Sequence, residues 1–176
     1  MKKKVLLIIS AVIVLAIVFS FSACRKAAEK VAEQAIEKTV ESLAGESVDI
    51  NVDESTVKVS SEEGEAQFGE SAQMPEGWPS VVPVYPDWKI TFSSKDSKGV
   101  FAVNGEVTKG TVKDVYDWYK SKMSDWEIES ENYEKTTNNN DSFSLTMKNN
   151  QYEVFIMAST YGKVSLLITV TPIVNQ

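Results

Sequence analysis

Two kinds of side chain in this sequence can do chemistry: a single thiol and many carboxylates. The chain of 176 residues contains one cysteine, Cys24, and no histidine. The commonest general base and the commonest transition-metal ligand are therefore both missing. A lone cysteine cannot form an intramolecular disulfide. Histidine-dependent hydrolytic triads, histidine-containing zinc sites and a disulfide framework are excluded on these grounds.

The other motifs that could hold a cofactor or a metal ion are incomplete. There is no glycine-rich phosphate loop, and no Ser-x-x-Lys motif occurs with its supporting motifs. Asp49, Asn51 and Asp53 alternate as in a calcium loop, but the sixth position is Glu54 instead of glycine and the twelfth is Ser60 instead of glutamate. We therefore expect no metal, no cofactor and no catalytic residue.

Carboxylates leave one enzymatic alternative open. A pair of acids assembled in space can hydrolyse glycosides, and such a pair has no fixed spacing in the sequence. The acids that lie on candidate strands are predicted to point outward, where charged groups protect sheet edges against aggregation. They are Glu127, Glu129, Glu131 and Glu153.

The N-terminal segment predicts export from the cytoplasm. Lys2, Lys3 and Lys4 form a basic start, and residues 5–21 form an uncharged apolar run, as in a secretory signal. The run ends in Phe21-Ser22-Ala23-Cys24, which resembles the lipobox of bacterial lipoprotein signal peptides. Those signals prefer leucine or another aliphatic residue three positions before the cysteine, where this chain has Phe21.

The resemblance implies that Cys24 is lipidated and that residues 1–23 are removed. The membrane lipid is then a partner through acylated Cys24, and the protein is extracytoplasmic. Because Arg25 rather than aspartate follows the cysteine, the sorting rule implies the outer membrane if the organism has two membranes. The alternative is an uncleaved transmembrane anchor, since the apolar run reaches about 26 Å as a helix.

Charge excludes one class of partner. Removal of the three signal lysines from the 18 basic residues leaves 15 against 25 acidic ones, a net charge of −10. A surface of this sign repels nucleic acids and anionic lipid headgroups. We therefore expect no nucleic-acid partner.

Residues 24–73 are predicted to be a lipidated amphipathic helix followed by an acidic tether. The helix runs from Arg25 to Leu43 and ends near Gly45. Three interpretations of it stay open: a solvated spacer, a seam for self-association, or a helix that packs on the domain. Its apolar stripe recurs at steps of three and four and consists of Ala28, Val31, Ala32, Ala35, Ile36, Val40 and Leu43.

The tether contains one candidate β-hairpin. Val48, Ile50 and Val52 alternate with polar residues, and so do Val57 and Val59. Residues 41–76 carry ten acids against one base, which is typical of a mobile segment. The sequence leaves open whether residues 46–60 join a sheet.

Residues 74–176 are predicted to form the folded domain, which opens with four prolines in a rigid, extended approach. The segment Met74 to Pro86, together with the later Trp118-Tyr119-Lys120, resembles a group of small bacterial lipoproteins to which no activity is assigned. Aromatic residues of this segment, Trp78, Tyr85 and Trp88, are a candidate partner surface. The simpler interpretation is that they cover an edge of the core.

The domain is predicted to be α+β. Residues 88–92 and 100–107 make a hairpin, Thr111 caps a helix that lies across the sheet, and strands at 126–133, 142–147, 152–158 and 163–170 form an antiparallel meander. This gives one helix packed on an antiparallel sheet of about five to six strands.

The sequence therefore predicts a lipid-anchored envelope protein that is not an enzyme. Its most plausible role is a binding or structural module that holds an envelope protein, a peptide or a glycan on its sheet face or on the Pro/Trp segment. The alternative function is a carboxylate-dependent cell-wall glycan hydrolase. The sequence does not specify an oligomeric state.

Overall fold

The computed structural model of this chain describes residues 49–52, 55–136 and 140–174. The signal segment, Cys24 and the predicted amphipathic helix lie outside the described residues. Within the described ranges, no helix combines the length and the apolar character needed to cross a membrane.

The described chain consists of nine strands and one helix. The first three strands are β1 (Asp49–Val52), β2 (Thr56–Ser61) and β3 (Gly64–Gly69). After the proline-rich segment come β4 (Trp88–Asp96), β5 (Phe101–Val107) and helix α1 (Val112–Lys122). The last four strands are β6 (Glu127–Glu134), β7 (Ser142–Lys148), β8 (Tyr152–Tyr161) and β9 (Lys163–Pro172).

All nine strands belong to one antiparallel sheet, in the order β1-β2-β3-β4-β5-β9-β8-β7-β6. Strands β1 to β5 form one meander and β6 to β9 form another. The two meanders are joined at the centre, where Phe101 pairs with Val170 and Val107 pairs with Val164. The link from β5 to β6 must cross from the centre of the sheet to its far edge, and α1 makes this crossing against β8 and β7.

The predicted fold class is wrong. The sheet has nine strands rather than about five or six, and one helix of 11 residues beside it makes the fold more nearly all-β than α+β. The additional strands come from the acidic segment, where β1, β2 and β3 continue the sheet beyond β4. Residues 46–60, which the sequence left open, therefore include two strands of the sheet.

The predicted hairpin, meander and helix cap are confirmed. Strands β4 and β5 pair as a hairpin, and β6 to β9 pair consecutively. At the helix start, the Thr111 side chain accepts a hydrogen bond from the Asp114 backbone amide, and the Asp114 carboxylate accepts one from the Thr111 amide. This reciprocal cap satisfies two amides that the first helical turn leaves without partners.

The main core lies between α1 and the sheet. From the helix it receives Val112, Val115 and Tyr119, all almost fully buried. Alternating side chains of β5, β9, β8 and β7 meet them, because successive residues of a strand point to opposite faces. These strand residues are Phe101, Val107, Phe143, Leu145, Met147, Val154, Ile156, Ala158, Leu166, Ile168 and Val170.

An ion-pair cluster attaches α1 to the edge strand β6. The Glu131 carboxylate accepts hydrogen bonds from the Lys120 ammonium, at 2.7 Å, and from the Tyr116 hydroxyl. Both bonds lower the pKa of Glu131 below its ordinary value of 4.5, and the bond from Lys120 has the larger effect. The pKa of Glu131 is thus lower in the folded than in the unfolded protein. The stabilisation of the fold by this cluster is therefore complete above the unfolded-state pKa and is lost as pH falls through the folded-state pKa.

We predict that Glu131→Gln destabilises the fold at neutral pH by about 0.2–1 kcal/mol, the range of partly exposed ion pairs. The difference from the wild-type protein should shrink at acid pH, where the wild-type carboxyl is itself protonated. Urea unfolding at the two pH values measures this. The control is Glu134→Gln, an exposed glutamate on the same strand. A deficit in Glu131→Gln that persists unchanged at acid pH would contradict the prediction.

A second prediction concerns the shorter chain of residues 74–176, which we expect to fold. The buried residues of the main core all lie between Val82 and Val170, whereas Ile50 forms a separate cluster with its neighbours on β1 and β2. Removal of the first three strands also removes the contact between Phe68 and Phe92, whose ring centroids are 4.9 Å apart. Such aromatic pairs contribute about 0.5–1.5 kcal/mol.

Urea unfolding of residues 25–176 and 74–176, side by side, tests this expectation. Both chains should unfold cooperatively, with a moderately lower midpoint for the shorter one. The acidic segment is an indispensable part of the fold if the shorter chain is unfolded in buffer. The same conclusion follows if its unfolding midpoint drops steeply and the dependence of its unfolding free energy on urea concentration also becomes weaker.

Candidate functional site

In the part of the chain that the structure describes, no helix packs on one face of the sheet, which we call the open face. Two rows of cross-strand partners run along it from one sheet edge to the other. The first row comprises Val52, Val57, Phe68, Phe92, Asn104, Leu167, Met157, Ser144 and Asn132. The second comprises Ile50, Val59, Ala66, Ser94, Ala102, Thr169, Phe155, Thr146 and Ser130.

The apolar residues of these rows form two patches. The β1–β3 patch consists of Ile50, Val52, Val57, Val59 and Phe68, and the β8–β9 patch consists of Phe155, Met157 and Leu167. In the β8–β9 patch, Met157 is 39% exposed, and Phe155 and Leu167 are half-buried. Their positions on neighbouring strands make these three side chains one apolar surface on the open face.

The two rows contain no charged residue, and charged residues lie at both ends of the strands. At one end, the Lys163 ammonium lies 2.8 Å from the Glu106 carboxylate and the Lys89 ammonium lies 3.4 Å from that of Glu70. At the other end, Lys148 lies 2.6 Å from the carboxylate of Glu129. An apolar centre with a charged rim is the usual anatomy of a protein-binding surface.

Between the apolar side chains, the rows carry small polar groups. Asn104 and Thr169 lie beside Leu167 along the sheet, and Ser144 and Thr146 lie on β7 next to the β8–β9 patch. The Ser130 and Thr146 hydroxyls are 3.0 Å apart and hydrogen-bond to each other. These groups can donate and accept hydrogen bonds without requiring a charged partner.

The sequence-predicted partner residues lie on the opposite side of the sheet from the open face. Trp78, Tyr85 and Trp88 pack against the main core, on the side of the sheet that carries α1. The Trp78 indole donates a hydrogen bond to the Val82 carbonyl at 3.0 Å, and the Tyr85 ring packs edge-on against Trp118. Tyr85 is 7% exposed, so it has little surface to offer a partner.

Lipidation of Cys24, the other sequence-predicted site, falls outside the described residues. It therefore stays a prediction.

Several of the described acids form ion pairs or helix-cap hydrogen bonds. Glu127 and Glu129 share the cation Lys148, and Glu131 is held by Lys120. Hydrogen bonds from the Thr111 backbone and side chain lower the pKa of Asp114, and the pKa of Glu131 is lowered as well. A general acid at neutral pH needs a shift in the other direction. Among the described residues, no group of three potential ligands is placed to hold a metal ion.

Sequence reasoning missed the β8–β9 patch, although the sequence contains a signal for it. Val154, Phe155, Ile156 and Met157 are four consecutive apolar residues, and Leu166, Leu167 and Ile168 are three more. An uninterrupted apolar run in a strand indicates that both faces of the strand are apolar. The solvent-facing residues of these runs are the patch.

No protein-family model, no curated protein and no solved structure matches this chain.

Proposed function

We propose that this protein is a lipid-anchored envelope protein that binds another envelope protein through the β8–β9 patch and does not catalyse a reaction. The observation that carries the proposal is the apolar cluster on the open face formed by Met157, which is exposed, and by Phe155 and Leu167, which are half-buried. Acylated Cys24 would hold the binding surface at the membrane, outside the cytoplasm.

A protein fits this surface better than a glycan does. Methionine and aromatic residues are enriched in protein interfaces, and charged residues are depleted from their centres. Sugars stack on extended aromatic platforms. Phe155 is the one aromatic ring of the β8–β9 patch, and the tryptophans Trp78 and Trp88 lie on the other side of the sheet.

Site-specific photo-crosslinking in the host bacterium tests the proposal. A photoreactive phenylalanine analogue replaces Met157 in the full chain, and the same analogue at Ser121, exposed on α1, is the control. We expect a discrete protein adduct from position 157 alone. The adduct should disappear when Leu167→Lys places a charge beside the photoreactive group.

Two results would contradict the proposal. Adducts that form equally from both positions, or that survive Leu167→Lys, would mean that the β8–β9 patch is not a specific site. Binding of the purified protein to peptidoglycan sacculi that Leu167→Lys abolishes, with no protein adduct, would replace the protein partner with a glycan.

A further inference from the structure

The β8–β9 patch carries a sulfur atom that solvent can reach. Met157 is 39% exposed, whereas Met123 and Met147 are 0% and 1% exposed and belong to the main core. Met74, the remaining methionine of the described residues, is half-buried at the start of the proline-rich segment. Met157 therefore has the most accessible thioether in the part of the chain that the structure describes.

The accessibility of a thioether determines how fast it reacts with an oxidant such as hydrogen peroxide. The sulfur lone pair forms a new bond to one peroxide oxygen while the O–O bond breaks. The leaving hydroxide takes the remaining proton and departs as water, so the methionine is oxidised to its sulfoxide and the peroxide is reduced. A buried thioether reacts only when the structure opens around it, so Met123 and Met147 are protected.

A sulfoxide at position 157 changes the chemistry of the β8–β9 patch. Leu167 of β9 is the direct cross-strand partner of Met157, and Phe155 lies two residues before Met157 on the same face of β8. Oxidation converts the apolar thioether between them into a polar group. In the free protein, water hydrates the sulfoxide oxygen. In a complex, apolar groups of the partner would displace that water, and the loss of hydration disfavours binding.

We propose that Met157 is a reversible oxidation site and that its sulfoxide releases the partner of the β8–β9 patch. The release rests on the proposed function, whereas the selectivity of the oxidation rests on the exposure of Met157. Methionine sulfoxide reductases reverse the reaction with two thiols, which become a disulfide while the oxygen leaves as water. The proposed location outside the cytoplasm would expose this sulfur to oxidants from the environment.

Treatment of the purified full chain with hydrogen peroxide, followed by peptide mass spectrometry, tests the selectivity of the oxidation. We expect Met157 to gain oxygen at least about tenfold faster than Met123 and Met147, whose oxidation requires opening of the core. The variant Met157→Leu, which keeps an apolar side chain of similar volume, should lack this fast reaction. Equal oxidation rates at the three methionines would overturn the proposed site.

Photo-crosslinking from Thr169, the cross-strand partner of Phe155, measures the effect of oxidation on binding without replacing Met157. The photoreactive phenylalanine analogue replaces Thr169 in the otherwise wild-type chain and in Met157→Leu. Brief treatment of the cells with peroxide should lower the first adduct by about tenfold or more, since a polar group without a partner is costly in an interface. The adduct of Met157→Leu should not change. Met157→Gln, polar and uncharged like the sulfoxide, should give little adduct even without peroxide.

The results distinguish failure of the oxidation proposal from failure of the proposed function. An adduct that peroxide leaves unchanged, or lowers equally with and without Met157→Leu, would overturn the release by oxidation and leave the binding proposal intact. Selective oxidation of Met157, with no adduct from position 157 or position 169 in untreated cells, would overturn the proposed binding and support Met157 as an oxidation site alone.

Discussion

Tyr119→Ala is expected to destabilise the protein by about 3–5 kcal/mol, the cost of removing a large aromatic side chain from a packed core. Tyr119 is fully buried where α1 meets the sheet. Its ring packs edge-on against Trp118, and the two ring centroids are 4.7 Å apart. Burial also raises the pKa of its hydroxyl, which stays protonated and neutral at physiological pH. Domains of this size are stable by about 5–15 kcal/mol, so this single change removes a large part of the total.

Urea unfolding measures the effect, and the chain supplies a matched control. Tyr161, at the end of β8, is 93% exposed, so Tyr161→Ala makes the same substitution without opening a cavity. The control should lie within about 0.5 kcal/mol of the wild-type protein. A loss of less than about 1 kcal/mol in Tyr119→Ala would mean that the helix does not supply the core of the folded protein.

Cys24→Ser is expected to have an all-or-none effect on lipidation and on removal of residues 1–23. With two or three acyl chains, each buried methylene contributes about 0.8 kcal/mol, which is enough to hold the protein firmly in a bilayer. Under the proposed lipidation of Cys24, the serine variant lacks the thiol that would carry the lipid, so we expect it to accumulate as a precursor that retains residues 1–23. The wild-type protein should have a mass that starts at Cys24 and includes lipid.

Mass spectrometry of the membrane fraction distinguishes these forms, and Ser22→Ala is the control because it keeps a small residue before the cysteine. An intact segment from Met1 to Ala23 in the mature wild-type chain would show a transmembrane anchor instead. A Cys24→Ser protein that matures normally would rule out lipidation as the step that releases the signal.

The helix and the C-terminal meander could be predicted because their signals are local. Thr111 and Asp114 stand three residues apart, the spacing of a reciprocal cap, and turn residues such as Gly162 separate apolar runs. Strand β3 could not be predicted in this way. Its sequence, Gly-Glu-Ala-Gln-Phe-Gly, has two apolar residues and high polarity, and it pairs because β2 and β4 lie on either side of it. Pairing to neighbours overrides intrinsic preference in such strands.

The open face could not be predicted from the sequence. Trp78 and Tyr85 allowed two interpretations, a recognition segment beside prolines or a cover for an edge of the core, and in the structure they pack against the core. The open face has no motif. It is assembled from β1 to β9 by strand register, and register depends on long-range pairing that one sequence does not specify.

The central position of β9 determines when the fold can be completed. This strand is the last described strand in the chain, yet it lies between β5 and β8, and its residue Val170 pairs with Phe101. Synthesis proceeds from the N-terminus, so β5 and β8 each have an unpaired edge until β9 has been synthesised. Such distant pairing slows folding, because a long loop must close before the contacts form. The nascent chain is therefore most open to aggregation before β9 has been made.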